Sequence, residues 1–217
     1  MEGYLNTAKD LHDKLSAELV RIEPDRIPRH SGIHKSPQSG KFKQGADIFR
    51  KNAKAIRALN ITVGVSDMKV SDNPYVTLVT HALGSCIGLT VYDPVARVGG
   101  LLHYQLPESR LDTNKAKKTP LKFADTGIPM LFKACFKLGA KKGRMIVKVA
   151  GGAQLKDTRG VFNIGKRNYA ALRKILWRNN VLVDAEDVGG AVTRTMWLNI
   201  ATGELSLKVS GQGYKVL

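Results

Sequence analysis

Between Tyr75 and Leu106 the chain carries three apolar, β-branched runs in close succession, YVTLVT, IGLTVYD and LLHYQL. Each is too short for a stable helix and rich in residues that suit a pleated surface. The breaks between them are LGSC, a bend of small residues, and DPVARVGG, where a proline and paired glycines favour a reversal. This order predicts adjacent antiparallel strands, with residues 86–92 and 98–104 paired as a hairpin about the DPVAR turn. The neighbouring sequence behaves alike. ITVGVSDMKV reads as one strand, RMIVKVAGGAQL as a buried strand ending in a Gly-Gly bend, and VLVDAED, RTMWLNI and LSLKVS as further strands. The last two are joined by ATGE as a hairpin turn.

Two segments have helical spacing instead. LKFADTGIPMLFKACFKLGA is helical in pattern although Gly127 and Pro129 mark a break or kink, and NIGKRNYAALRKILWRN sets Tyr169, Leu172, Ile175 and Leu176 on one side. The expected fold class is α+β, sheet-rich, with mostly antiparallel β layers and helices packed outside.

Residues 1–60 differ from the rest. Leu5, Ala8, Leu11, Leu15, Leu19 and Ile22 recur at helical spacing, then EPDRIPRHSGIHKSPQSGKFKQG reads as linker, and a short second helix is expected over Ala46–Leu59. The expected division is therefore a basic N-terminal extension, 1–60, and a catalytic domain, 61–217.

The chain has 217 residues and a formal net charge of +17, which draws acidic partners in a salt-dependent way. The first 60 residues hold 12 Lys/Arg against 7 Asp/Glu and the remainder 23 against 11, so both parts are basic. Zinc-finger spacing and aromatic-basic RNP-like segments are lacking, and an acidic protein surface fits this charge as well as nucleic acid does. No apolar run approaches 18 residues, and the N-terminus lacks a signal peptide's hydrophobic segment. With two cysteines, Cys86 and Cys135, a reducing cytoplasm is the expected compartment, where a free thiol can act as a nucleophile.

Cys86 stands where such a thiol is useful. Leu83-Gly84-Ser85-Cys86 allows the backbone to bend and the amides of Ser85 and Cys86 to point outward, as donors to an oxyanion. The expected hairpin returns His103 beside Cys86, the pairing a thiol needs from its base. Cys135, on an apolar helix face, is expected in the core, and strand alternation turns His81 away from the side that Thr80 faces.

Thr80, Leu83-Gly84-Ser85-Cys86 and Gly99-Gly100-Leu101-Leu102-His103 together resemble the chemoreceptor glutamine deamidases of the CheD family. KVAGGAQL (148–155), NIGKRNY (163–169) and AEDVGGAVTRT (185–195) are similar to further motifs of that family, so the resemblance runs over about residues 61–210. It implies a three-layer fold and a hydrolase that converts receptor glutamines to glutamate, and also cleaves glutamyl methyl esters, through a thioester. Cys86 would be the nucleophile, His103 its base and Thr80 the third member, with no metal or cofactor. The implied partners are methyl-accepting chemotaxis receptors and a CheC-type phosphatase. A non-catalytic adaptor of the same fold, binding receptors or that phosphatase, is the alternative. The chain departs from the family pattern at Ala82, where glycine is usual, at Val192 and Thr193 before Arg194, and in its basic extension. Alanine resists positive φ, so the loop before Cys86 is expected to sit differently.

Overall fold

The computed structural model describes residues 59–154 and 163–217. Of the extension, only Leu59 and Asn60 fall among them, and both lie in a strand, so the helix expected over 46–59 does not reach Leu59. The rest of that expectation lies outside the described residues.

In chain order the strands are β1 (Leu59–Thr62), β2 (Asp67–Ser71), β3 (Val76–Leu83), β4 (Ile87–Asp93), β5 (Val98–Tyr104), β6 (Ile146–Gly151), β7 (Ala185–Val188), β8 (Arg194–Asn199), β9 (Leu205–Val209) and β10 (Gly213–Val216). Helices α1 (Thr113–Lys118) and α2 (Ala124–Lys137) lie between β5 and β6, and α3 (Ile164–Arg178) precedes β7. The strands form two five-stranded sheets, ordered β1-β3-β8-β9-β10 and β2-β5-β4-β6-β7. Among the strands of the described residues, only the β1–β3 and β6–β7 pairs are parallel. The fold is α+β, as the sequence pattern predicts.

Every residue of β4 and β5 is buried, because both faces of these central strands are covered. One face meets the helices: Leu89, Val91, Leu102 and Tyr104 share a core with Ile128, Leu131 and Cys135 of α2 and Leu172 and Leu176 of α3. The other meets the first sheet, where Leu101 and Ala150 pack with Leu78, Leu83, Met196 and Leu198. That two-sided burial is why IGLTVYD and LLHYQL show so little polar alternation.

Two expectations need correction. ITVGVSDMKV is not one strand. The chain leaves the first sheet at Thr62, turns through Ser66 at φ 60°, and enters the second sheet at Asp67. Local alternation reads the two halves as continuous because residues 63–66 interrupt neither the apolar spacing nor the β-branching. Of VLVDAED (181–187) only residues 185–187 are strand, the start of β7. An additional edge strand, β10, pairs with β9 although GYKV carries little apolar signal.

The β4–β5 hairpin is closed by Asp93, whose Oδ1 accepts the amides of Val95 and Ala96 at 2.9 and 3.1 Å. Oδ2 accepts the Lys141 amide at 2.8 Å and Nη2 of Arg144 at 2.7 Å. Burial alone would raise this carboxyl; Arg144 and the three amides outweigh it and hold the group well below the usual carboxylate range.

Candidate active site

Strand β3 belongs to the first sheet and β4 to the second, so Gly84-Ser85-Cys86 is the crossing between them. The approach to it is irregular. The β3–β8 register shifts between Thr80 and Leu83, and Ala82 sits at φ 54°. The left-handed conformation that the alanine was expected to resist is adopted, at a steric cost that a glycine would escape.

The three carbonyls of the crossing are held by two other elements, the bend after β6 and helix α3. Ala153 N–H donates to the Gly84 oxygen at 2.8 Å, Nδ2 of Asn168 to the Ser85 oxygen at 2.9 Å, and Gly152 N–H to the Cys86 oxygen at 2.8 Å. With those carbonyls turned into the protein, the Ser85 amide has no partner among the described residues, and the Cys86 amide interacts only with its own sulfur. The bend after β6 makes this possible. Gly151 adopts φ 113°, and a Cβ there would stand 2.2 Å from the Cys86 oxygen. Gly165, at the start of α3, lies so close that its Cβ would meet the Gly152 oxygen at 2.3 Å.

The bend is buttressed in turn. Gly189 N–H donates to Gly151 O at 2.8 Å, and Gln154 N–H to Gly190 O at 2.9 Å. Buried Arg194 donates from Nη1 to Gly189 O at 2.8 Å and from Nη2 to Asp187 Oδ1 at 2.8 Å. Three sequence segments remote from Cys86 thus support the loop that carries it, two directly and the third through the bend. Their repeated glycines were a sequence signal of close approach, but not of what approaches.

His103 lies in β5 opposite Gly88 of β4 and Asp67 of β2. Continuing the β4–β5 register by one residue sets Cys86 opposite Gln105, so Cys86 and His103 are diagonal neighbours on the face turned to the first sheet. Thr80 reaches that face from the opposite sheet. Its Oγ1 lies 2.8 Å from Nδ1 of His103 and donates to the Val63 carbonyl at 2.8 Å. Since the hydroxyl has one proton and gives it to Val63, it can only accept from the ring. Nδ1 therefore carries the hydrogen, and Nε2, buried and without a hydrogen-bond partner, holds a free lone pair.

The structure thus joins Thr80 to His103 and packs Cys86, one residue before β4, against the core between the two sheets, with no hydrogen bond from the sulfur to either. Burial lowers the His103 pKa to about 4, against a smaller opposing pull from Asp67. Burial likewise pushes the Cys86 thiol up, against its own amide and Lys122. At neutral pH the ring is an unprotonated base and the sulfur a thiol. Cys86 is half-buried, whereas Cys135 is fully buried and its pKa is pushed up to about 12, so the two sulfurs differ in access. His81 is exposed and stacks edge-on to Trp197 at 6.4 Å, on the other side of the sheet from Thr80.

Among the described residues no group of three or more His, Cys, Asp or Glu side chains is placed to hold a metal ion. Clefts of about 360 and 130 Å³ border the C-terminal half of α3, and neither is lined by Thr80, Cys86 or His103. No helix among the described residues is long and apolar enough to cross a membrane.

The family model described as CheD chemotactic sensory transduction matches residues 105–209. A protein named probable chemoreceptor glutamine deamidase CheD 1 from Syntrophus aciditrophicus is 55% identical over 152 residues, 70% of this chain and 95% of that protein. The similarly named CheD of Solibacter usitatus is 50% identical, covering 70% of this chain and 90% of its own length. CheD 2 of Anaeromyxobacter dehalogenans is 46% identical, covering 70% and 96%. A solved structure, that of Neisseria meningitidis protein NMB0706, aligns over 74% of this chain and 73% of its own at 11% identity and a TM-score of 0.35, too remote to bear on function. With 46–55% identity over 152 aligned residues that span nearly the full length of these relatives, the chain belongs to the CheD family.

Proposed function

We propose that this chain is a chemoreceptor glutamine deamidase in which Cys86, His103 and Thr80 form the catalytic set. The reading rests on family membership and, above all, on one observation: the Thr80 hydroxyl fixes the tautomer of His103 so that its free nitrogen is a base on the face that Cys86 shares.

The reaction begins with a neutral pair. Cys86 Sγ attacks the δ-carbon of a glutamine side chain while its proton passes to Nε2 of His103. The amides of Ser85 and Cys86 receive the developing oxyanion, at about 2.7–4 kcal/mol per donor in sites where such a donor has been removed. The imidazolium returns its proton to the amide nitrogen, the C–N bond breaks, and ammonia leaves a thioester. Water, deprotonated by His103, then adds to the thioester and releases glutamate and the thiol. With a methyl ester the same sequence expels methanol.

The substrate in this reading is the cytoplasmic part of a methyl-accepting receptor, and the chain works in the cytoplasm as one catalytic domain, 61–217, behind a basic extension. Excess positive charge suits an acidic helical substrate. A CheC-type phosphatase is the proposed regulatory partner.

Incubation of the full chain with a receptor cytoplasmic fragment tests this reading. Ammonia release and an amide-to-acid mass change at glutamine are expected, and both are lost in Cys86→Ala and His103→Ala. Undiminished release by Cys86→Ala would overturn the mechanism. Unchanged chemotactic signalling in cells carrying that variant would instead favour an adaptor.

A further inference from the structure

Asn168 lies in the first turns of α3, fully buried, behind the nucleophile loop. Its Nδ2 donates both hydrogens, one to the Ser85 oxygen at 2.9 Å and one to the Gln105 oxygen at 2.7 Å. Ser85 precedes the nucleophile in the crossing, and Gln105 follows His103 by two residues, just past the end of β5. One nitrogen therefore ties the backbone that carries the sulfur to the backbone that carries the base. The helix is anchored in the same place, because the Tyr104 hydroxyl donates to the Asn168 carbonyl at 2.9 Å.

The side chain accepts a cost for this arrangement. Its Oδ1 is buried and has no hydrogen-bond partner. A residue chosen only to fill space would not leave a buried acceptor unpaired. Asparagine suits the position because it offers two hydrogens on one short, uncharged arm. Aspartate has none and would oppose two carbonyls, and glutamine is longer by a methylene. Since Tyr104, the hydroxyl's owner, faces the helices while Cys86 and His103 face the first sheet, Asn168 acts from behind the reacting groups.

We infer that Asn168 is a positioning residue which, by bonding the Ser85 and Gln105 carbonyls together, fixes the separation of the Cys86 sulfur and the His103 ring. The inference rests on the catalytic reading proposed above. Displacement of reacting groups by about 1 Å can cost on the order of 10²-fold in rate. Asn168→Ala in the full chain is therefore expected to lower kcat on the receptor fragment roughly 100-fold with KM within about twofold of the parent.

The control is Asp93→Asn, which weakens the hairpin at the opposite end of β4 and is expected to lower the melting temperature while leaving kcat per folded molecule unchanged. Alkylation of Cys86 by iodoacetamide is followed in parallel, and its rate is expected to change in Asn168→Ala and not in Asp93→Asn. Should the alanine variant not fold, Asn168→Ser is judged by the same measurements. The inference is overturned if folded Asn168 variants keep kcat within twofold, or if their loss matches the unfolded fraction alone. If the parent chain releases no ammonia, the deamidase reading fails, and the alkylation rates still decide whether Asn168 positions the thiol.

Discussion

Thr80 Oγ1 and His103 Nδ1 stand 2.8 Å apart, joined across two sheets, and the threonine hydroxyl is already committed to the Val63 carbonyl. The direction of the proton between them follows from that commitment. Thr80→Ala should leave the ring free to rotate or change tautomer and lower kcat on the order of 10²-fold. It also unpairs a buried carbonyl and a buried N–H, at about 1–3 kcal/mol of stability each. Thr80→Ser keeps the hydroxyl and should recover most of the rate. Steady-state kinetics and urea unfolding of the two variants check this.

The burial that keeps His103 neutral carries a pH signature. Its folded pKa of about 4 lies below the ordinary 6.5, so between those values the unfolded chain binds a proton that the folded chain refuses. Stability from this group is complete above pH 6.5 and declines as pH falls toward 4, by up to about 3 kcal/mol. His103→Gln should flatten that part of the stability profile. In the parent chain, NMR titration of the His103 ring should show no midpoint near 6.5.

A methyl group at Gly151 has no room. Gly151→Ala would place a carbon 2.2 Å from the Cys86 oxygen, at a φ of 113° that alanine avoids. The expected result is displacement of the Cys86 loop, with loss of ammonia release and a melting temperature lowered by several degrees, about 1–3 kcal/mol. Calorimetry and the ammonia assay read the two effects separately.

Ala82 presents the reverse case. Because its backbone is already left-handed at φ 54°, Ala82→Gly should stabilise the chain by about 0.5–1 kcal/mol, the relief of Cβ strain less the added freedom of the unfolded glycine. A lowered denaturation midpoint would refute this.

The two thiols should separate cleanly toward an alkylating reagent. Cys86 is half-exposed and Cys135 is fully buried with a pKa of about 12, so iodoacetamide should label Cys86 first and Cys135 only on unfolding. Peptide mapping after brief exposure checks the order.

Much of this was legible in the chain itself. The β-branched runs marked β3, β4 and β5, the Asp-Pro and Gly-Gly steps marked the hairpin, and helical spacing marked α2 and α3, since each depends on neighbours a few residues apart. The paired glycines at 151–152 marked a bend, but not that Gly189 packs on it. Asn168 sat inside a recognised motif without any indication of its bonds, because an asparagine early in a helix ordinarily serves solvent or a cap.

What sequence determined, then, was local: which segments are extended, which are helical, where the chain reverses, and that a cysteine sits on a bend of small residues. Tertiary packing alone decided that ITVGVSDMKV divides between two sheets, and that Thr80 meets His103 from the opposite layer. It also decided that two remote elements, the bend after β6 and α3, hold the carbonyls of residues 84–86. Such contacts bridge up to 83 positions of chain between Ser85 and Asn168, and they arise only when sheets and helix close on a shared core and strip water from the histidine between them.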